Sequence, residues 1–465
     1  MSDVTATDTG TDEHPVLARL REPLGDAVSV DEGALEDARA DKSGHVSSGK
    51  PLCLVYATTT EQVAEVLRIA NDTGTPVVTR GGGSGLAGGA VGSPGEIVLS
   101  LERMNRIIEM SVDNRYAVVE AGVINDHLNE EAQKHGLWFA PDPASRPWST
   151  IGGNIATNAG GLLCVKYGVT REAVLDLTVV LANGDVMRVG HKTVKGVTGF
   201  DLAALFVGSE GLLGVITEAT VALKPLDTSP VWTISGWSTE LDTVARAVSD
   251  TITQGAKPAI LELIDNKAAA HISRYLGRTD LPPGATHLIA QTDGPSAKVD
   301  ADQIAAIWRQ RGLTVDVGEN RDDLIAFRRA MHPAMEAVGT VLIEDVAVPR
   351  SALPDMFAAI RQIEQDFDVE IPTVAHAGDG NLHPNFIYTG DTVPDHIWDA
   401  ADGLFRKAVA LGGTLTGEHG VGLLKRRWLR DELGDAQWHL QWQIKQLFDP
   451  KNILNPGKVF FPGDA

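Results

Sequence analysis

Two segments near the C-terminal end of the chain combine residue types that can bind a metal ion. In the first, His376 and His383 stand on either side of Gly378-Asp379-Gly380-Asn381, a composition typical of a tight turn. Because such a turn folds two strand ends back on each other, we expect the two imidazoles to converge. In the second, Glu418 offers a third ligand and leaves coordination positions open for a substrate. Each segment alone is more typical of a turn with an incidental histidine, and only the two together favour a divalent metal site. Two imidazoles and one carboxylate suit zinc, manganese or iron.

His419 follows Glu418 directly and is the candidate base. As the neighbour of a ligand it is expected to point elsewhere and to stay free of the metal. An imidazole with an unperturbed pKa of about 6.5 is suited to proton abstraction near neutral pH. A 2-hydroxy acid could use such a site, because it chelates a metal through its carboxylate and its hydroxyl, whose pKa the cation lowers.

A loop almost without side chains follows the strand predicted at Val77-Val78 and could bind a diphosphate. It runs from Arg80 to Leu86 and includes three consecutive glycines. Glycines adopt the dihedrals that point successive backbone N–H groups inward as an anion-binding nest. The G-x-G-x-x-G spacing within it does not indicate a Rossmann fold, because residues 90–95 cannot form the helix that this fold requires. The alternative is a flexible surface loop.

Two further glycine clusters favour a bound ligand over a flexible loop. Residues 150–161 interleave small apolar residues with Asn154 and Asn158. Buried amides require hydrogen-bond partners, which a ligand rich in polar atoms would supply. Residues 206–217 run from a glycine-rich turn into a predicted strand.

The elements that must position these residues change in character near Lys224-Pro225. The preceding half is rich in glycine and β-branched residues, with an amphipathic helix predicted at residues 60–71. Strands are predicted there at residues 77–78, 97–101, 117–121 and 177–181. Longer helices are predicted in the second half, at residues 240–254, 299–312, 353–367 and 395–411.

The composition excludes several classes of function. The chain has 465 residues, a net charge of −22 and two cysteines, Cys53 and Cys164. The negative charge argues against nucleic acid as a partner, and it requires a metal or an arginine to draw in an anionic substrate. Two cysteines cannot complete an iron–sulfur cluster, and no apolar run is long enough to cross a bilayer. We expect a cytoplasmic protein that is not transmembrane, with its first 15 residues as a disordered tail.

The glycine clusters, with Pro141-Asp142-Pro143 between the first and second, resemble the FAD-binding domain of the vanillyl-alcohol oxidase and p-cresol methylhydroxylase superfamily. The two histidine segments, with residues 448–458, resemble the C-terminal domain of the FAD-linked oxidases, which include D-lactate dehydrogenases, glycolate oxidase D subunits and D-2-hydroxyglutarate dehydrogenases. The resemblance implies an α+β fold with three parts. These are a tail with leading helices (1–44), a two-part FAD-binding domain (45–226) and an α+β substrate or cap domain with a mainly antiparallel sheet (227–465).

The resemblance also implies roles for particular residues. His376, His383 and Glu418 would bind the metal, His419 would act as the base, and Arg328 would pair with a substrate carboxylate, unless it is an ordinary solvated helix charge. Ser84 stands near the place where covalent flavoproteins commonly have a histidine, so the FAD is expected to be non-covalent. The implied FAD contacts are Arg80, Gly81, Gly82, Gly83, Ser84, Gly85, Leu86, Pro141, Asp142, Thr150, Ile151, Gly152, Gly153, Asn154, Thr157, Asn158, Gly160, Gly161, Glu210, Gly214 and Ile216.

The implied activity is oxidation of a small D-2-hydroxy acid to the 2-oxo acid by hydride transfer to flavin N5. D-lactate or glycolate is favoured because residues 416–422 look more like those groups. The electrons would pass to a separate acceptor, such as an electron-transfer flavoprotein, a quinone, a cytochrome or an iron–sulfur subunit. Direct use of oxygen, a homodimer and peripheral membrane attachment through the acceptor are left open.

The sequence leaves three alternatives open. One is a D-2-hydroxyglutarate dehydrogenase, and another is a flavin-dependent alkyl-glycerone-phosphate synthase, which is a transferase. The third is a non-catalytic flavoprotein subunit of an oxidase complex. The presence of all four residues His376, His383, Glu418 and His419 argues against the third.

Overall fold

The computed structural model describes residues 14–390 and 392–461. Most of the predicted N-terminal tail, residues 1–13, lies outside the described residues. Within the described ranges, no helix is long and apolar enough to cross a membrane.

The N-terminal half contains two main sheets. A four-stranded sheet has the order β1-β2-β4-β3, with β2, β4 and β3 parallel, and a five-stranded antiparallel sheet has the order β5-β6-β10-β8-β9. The elements are α1 (Pro15–Leu24), β1 (Val28–Ser29), α2 (Glu32–Asp37), β2 (Cys53–Tyr56), α3 (Thr60–Thr73), β3 (Val77–Arg80), β4 (Ile97–Ser100), β5 (Ile107–Ser111), β6 (Tyr116–Glu120), α4 (Asn125–Gln133), β7 (Leu137–Trp138), α5 (Ile151–Thr157), α6 (Cys164–Tyr167), α7 (Thr170–Ala173), β8 (Val174–Val180), β9 (Val186–Gly190), α8 (Leu202–Phe206), β10 (Val215–Ala222) and β11 (Lys224–Pro225).

Helix α3 shows how the local sequence produces these elements. Thr59 caps its N-terminus by accepting a hydrogen bond from the backbone N–H of Gln62, and Gly74 ends it in the left-handed conformation. Between these ends, Val63, Val66 and other apolar residues form one buried face against the four-stranded sheet. Full burial of each such side chain contributes roughly 1.5–3 kcal/mol. The helix therefore confirms the amphipathic pattern in the sequence.

The C-terminal half is built around an eight-stranded antiparallel sheet. Its order is β15-β12-β14-β13-β18-β19-β16, and β17 also pairs with β19. The elements are β12 (Trp232–Ser238), α9 (Leu241–Thr253), β13 (Ile260–Ile264), α10 (Asn266–Leu276), β14 (Thr286–Thr292), α11 (Ala297–Arg311), β15 (Thr314–Glu319), α12 (Asp322–Arg329), α13 (Met331–Glu336), β16 (Thr340–Ile343), β17 (Val346–Ala347), α14 (Leu353–Phe367), β18 (Thr373–His376), β19 (Asn381–Tyr388), α15 (Asp395–Ala410) and α16 (Arg426–Phe448). The predicted α+β class, with a mainly antiparallel second sheet, is confirmed.

The end of the chain returns to the N-terminal half. After α16, the backbone at Ile453 accepts a hydrogen bond from Val77, and Asn455 donates one to Val77. Ile453 and Leu454 are fully buried in the core beneath α3. The buried ammonium of Lys445 also joins the two halves, because it donates to the carbonyls of Leu212 and Leu454. The boundary at residue 226 stays a prediction, but the last residues of the chain pack with the first half.

Candidate active site

The hairpin of β18 and β19 brings the two predicted imidazole ligands together. His376 ends β18, and His383 lies across from Val374 in the antiparallel register. Their ring centroids are 5.0 Å apart, and the two rings are almost perpendicular, at 84°. The turn between the strands therefore makes the imidazoles converge, as the sequence predicts.

Glu418 meets both histidines from a separate loop between α15 and α16. Its Oε1 lies 3.4 Å from Nε2 of His376 and 3.1 Å from Nε2 of His383. Ligand atoms from these three side chains all lie within 4.8 Å of one another. The structure thus assembles the predicted set of two imidazoles and one carboxylate.

The expectation that His419 points away from this set is wrong. Its ring stacks on the ring of His383 at 5.1 Å with an angle of 18° between the planes, and its Nε2 lies 3.8 Å from Oε1 of Glu418. The physical reason is that residues 416–419 form a loop around the buried carboxylate of Asp345, so neighbouring side chains can face the same pocket. His419 is therefore beside the three candidate metal ligands.

A buried carboxylate that the sequence does not single out holds one of the candidate ligands. Glu262, in the middle of β13, accepts a hydrogen bond from Nδ1 of His376 at 2.8 Å, and its other oxygen accepts one from Nε of Arg328 at 2.7 Å. A carboxylate behind a metal-binding histidine fixes the ring and leaves the second nitrogen free for the metal. The available signal is a glutamate within the apolar strand Ile-Leu-Glu-Leu-Ile, because a buried charge requires partners.

Arg328 is therefore not a solvated helix charge. Its side chain is buried on α12 with one N–H committed to Glu262, while neighbouring Arg329 is exposed. The rest of a guanidinium offers four further N–H donors. Its predicted pairing with a substrate carboxylate stays a prediction.

The buried carboxylates at this site favour a bound positive charge, either a proton on His376 or a metal cation. Burial alone would lower the pKa of His376, but Glu262 and Glu418 on its two sides raise it well above the ordinary value. Burial alone would raise the pKa of Glu418, but His376 and His383 hold it well below the ordinary value. Burial lowers the pKa of His419 to about 4, so this imidazole is neutral at pH 7. The same carboxylates that hold a proton on His376 suit a divalent cation, and the donor set fits a metal ion.

The first glycine loop is suited to a diphosphate. Among the described residues, no backbone N–H from residue 81 to residue 89 donates a hydrogen bond to a protein atom. Arg80 braces the loop, because its Nη1 donates to the carbonyls of Ala40 and Ala90. Its direct contact with FAD stays a prediction. The row of free N–H groups is what an extended phosphate ligand requires.

The second glycine cluster packs closely against the first. It forms the short helix α5, capped by Thr150. A Cβ atom at Gly81 would overlap the Thr150 side chain, and one at Gly82 would overlap the carbonyl of Trp148. The amide nitrogen of Asn154 is buried without a protein partner among the described residues. This unpaired donor and the free N–H groups of the loop fit a polar ligand such as FAD.

The two glycine clusters border the candidate metal ligands. A Cβ at Gly160 would lie 2.5 Å from Oε2 of Glu418, so a larger residue there would displace this carboxylate. A Cβ at Gly161 would overlap the backbone carbonyl of Asp142, so the predicted Pro141-Asp142 segment packs directly against the second glycine cluster. The candidate FAD site and the candidate metal site are thus neighbours.

Three other predicted FAD contacts, Glu210, Gly214 and Ile216, bond to or pack against other residues of the protein. The two carboxylate oxygens of Glu210 accept the backbone N–H groups of Val421 and Gly422, at 2.7 and 2.9 Å, and so join the halves of the molecule. Gly214 and Ile216 are buried beside β8, where a Cβ at Gly214 would lie 2.6 Å from Cγ1 of Val179. Their contact with FAD stays a prediction.

Replacement of Glu262 by glutamine tests the support of His376. We expect Glu262→Gln to weaken metal binding roughly 10- to 100-fold, because the neutral amide no longer fixes the charge and orientation of the ring. Metal titration of the purified variant measures this. Glu370→Gln is the matched control, because Glu370 contacts the buried ring of His271 in a similar way, but away from the metal ligands. Equal metal affinity in the two variants would contradict the assignment.

Comparisons with known proteins place the chain in a class. Residues 51–190 match an FAD binding domain, and residues 238–459 match the C-terminal domain of FAD linked oxidases. The solved structure of p-cresol methylhydroxylase with substrate bound superposes with a TM-score of 0.75 at 19% identity, covering 97% of each chain. The fold is therefore that of the vanillyl-alcohol oxidase type, and the protein is an FAD-dependent oxidoreductase.

Relatives of similar length define the family. The glycolate oxidase subunit GlcD of Bacillus subtilis is 39% identical over 421 residues, which cover 88% of this chain and 89% of the relative. A D-lactate dehydrogenase of Anaerostipes hadrus is 33% identical over 473 residues, covering 96% of this chain and 97% of the relative. The chain belongs to the FAD-linked oxidases.

Proposed function

We propose that the chain oxidises a small D-2-hydroxy acid, with D-lactate or glycolate favoured, to the corresponding 2-oxo acid. The observation that carries the proposal is the placement of Glu418 between two histidines and directly against Gly160 of the candidate FAD site. The names of the two relatives, a glycolate oxidase subunit and a D-lactate dehydrogenase, support the same substrate class.

The residues around the pocket divide the chemistry among them. When bound, a divalent metal on His376, His383 and Glu418 would lower the pKa of the substrate hydroxyl, and FAD would accept the hydride from C2 at N5. His419 is neutral at pH 7 and accepts the hydroxyl proton on its imidazole. Arg328 pairs with the substrate carboxylate through the guanidinium N–H groups that Glu262 leaves free.

The electrons then leave for a separate acceptor, such as an electron-transfer flavoprotein, a quinone, a cytochrome or an iron–sulfur subunit. Cys53 and Cys164 are the two cysteines of the chain, too few to ligate an iron–sulfur cluster.

Anaerobic reduction of the flavin tests the proposal. We expect the yellow colour of the purified holoprotein to bleach within seconds of adding D-lactate or glycolate, because hydride transfer reduces the flavin. L-lactate is the matched control and leaves the spectrum unchanged. If neither glycolate nor any D-2-hydroxy acid bleaches the flavin, the proposed oxidation is wrong. If D-2-hydroxyglutarate bleaches it much faster than D-lactate, the preferred substrate is wrong but the reaction class is right.

A further inference from the structure

Asp345 is a fully buried carboxylate at the centre of the C-terminal half. It lies between β16 and β17, directly after Glu344, and its side chain is 0% exposed. A buried carboxylate is costly unless hydrogen bonds or charges compensate it. Its partners therefore indicate why it is there.

One oxygen of Asp345 gathers the loop that carries Glu418 and His419. Its Oδ2 accepts hydrogen bonds from the hydroxyl of Thr416 at 2.7 Å and from three successive backbone N–H groups. These belong to Gly417, Glu418 and His419, at 2.8, 2.9 and 3.0 Å. Four donors on one oxygen fix the backbone of residues 416–419 as a nest around a single negative charge.

The other oxygen of Asp345 faces the histidine hairpin. Its Oδ1 accepts a hydrogen bond from the amide of Asn381 at 2.5 Å and lies 3.9 Å from Nδ1 of His383. That nitrogen is buried and has no hydrogen-bond partner among the described residues. Asp345 thus touches the hairpin through one oxygen and the loop through the other.

Lys425 fixes the far end of the same loop. Its buried ammonium donates to the backbone carbonyls of Asp345 and Leu415, at 2.8 and 3.1 Å. It also lies 3.6 Å from the carboxylate of Glu344 and 3.8 Å from Oδ2 of Asp345. Lys425 therefore links Leu415, which precedes the nest, to the Asp345 backbone, and the loop has little freedom to move away.

We propose that Asp345 is a positioning residue that holds the metal ligand Glu418 and the base His419 in one fixed relation to the histidines of the hairpin. The inference rests on the proposed function for the role of His419, but its effect on metal binding does not depend on the substrate. Asp345 sets the backbone from which both side chains project.

Replacement of Asp345 by asparagine tests this role with little change in volume. The amide keeps one oxygen, so its NH2 group must face either the four donors of the loop or the amide of Asn381. Glu344→Gln is the matched control, because Glu344 is an adjacent buried carboxylate that contacts Lys425 but not residues 416–419. We expect Asp345→Asn to weaken binding of Mn²⁺ or Zn²⁺ alone roughly 10- to 100-fold, as loss of support behind a ligand does, while Glu344→Gln binds like the wild type.

Measuring turnover at saturating metal then distinguishes a positioning role of Asp345 from an effect on the stability of the fold. We expect kcat of Asp345→Asn to stay at least 10-fold below that of Glu344→Gln at saturating metal, because His419 is displaced together with Glu418. KM changes less than kcat, since Arg328 is untouched. Wild-type metal affinity and kcat in Asp345→Asn would overturn the proposal. So would losses that only follow the fraction of unfolded protein.

A milder pair of variants keeps the test valid if Asp345→Asn does not fold. Thr416→Ala removes one of the four hydrogen bonds to Asp345, together with the one that the Thr416 hydroxyl accepts from Gly420, and Thr416→Ser retains both. We expect several-fold weaker metal binding in Thr416→Ala and recovery in Thr416→Ser; equal affinity in the two would overturn the proposal. If the wild-type flavin is not reduced by any D-2-hydroxy acid while these metal affinities differ as expected, the proposed function has failed and the positioning role has not.

Discussion

Replacing His383 by alanine is expected to lower kcat/KM roughly 1,000-fold or more and to remove the bound metal. The ring of His383 contacts both Glu418 and His419, so the alanine variant loses one of the three candidate ligands and both of these contacts. A metal that activates the hydroxyl contributes several kcal/mol to the transition state, and each 1.36 kcal/mol corresponds to a factor of ten in rate. Metal analysis of the purified protein and steady-state kinetics with D-lactate measure the two effects.

The control for this variant is His439→Ala, which removes an exposed histidine on α16, outside the ligand cluster. It is expected to keep wild-type metal content and activity. Both proteins should retain the yellow flavin, because His383 belongs to the candidate metal site and not to the glycine loop. A His383→Ala protein with full metal content and full activity would show that the imidazole cluster is not the catalytic metal site.

Replacing His419 by asparagine is expected to lower kcat roughly 100- to 10,000-fold while metal and FAD remain bound. This is the usual contribution of a positioned general base, and asparagine cannot accept the hydroxyl proton. Because the three metal ligands are intact, KM and metal affinity should change little. Metal titration and the anaerobic rate of flavin reduction separate the chemical step from binding.

The pH dependence gives a second measurement on the same residue. The base acts in its neutral form, so its contribution to kcat/KM is lost as the pH falls through its pKa. Since burial lowers the pKa of His419 to about 4, the decrease in kcat/KM that it causes should lie well below pH 6.5, in measurements at saturating metal. If flavin reduction in His419→Asn is as fast as in the wild type, another group is the base.

The fold could be predicted from the sequence to a large extent because its local patterns are strong. Helix α3 begins at a threonine cap, ends at Gly74 and has its apolar face at helical spacing, so tertiary packing has little to change. The turn between His376 and His383 is also local, since the two histidines are seven positions apart and glycines occupy the bend. The convergence of these two side chains follows from strand pairing alone.

Long-range support of the ligands could not be predicted in the same way. Glu262 lies 114 residues before His376, and Asp345 lies 73 residues before Glu418. In the sequence each is a single carboxylate within or beside an apolar strand, which predicts that it has a partner but not which one. The same limit explains the wrong expectation for His419, because its direction depends on a nest that the loop forms around Asp345.

By itself the sequence determined the kinds of chemistry available: imidazoles on a tight hairpin, a carboxylate on a second loop, and glycine loops able to accept a diphosphate. These depend on residue type and short spacing, which a linear pattern contains. Only the tertiary structure decided that Glu418 lies between the histidines and against Gly160, that Glu262 ties His376 to Arg328, and that His419 faces the candidate metal ligands. The physical reason is that buried charges select their partners in three dimensions, among residues that strand pairing and packing bring together from distant parts of the chain.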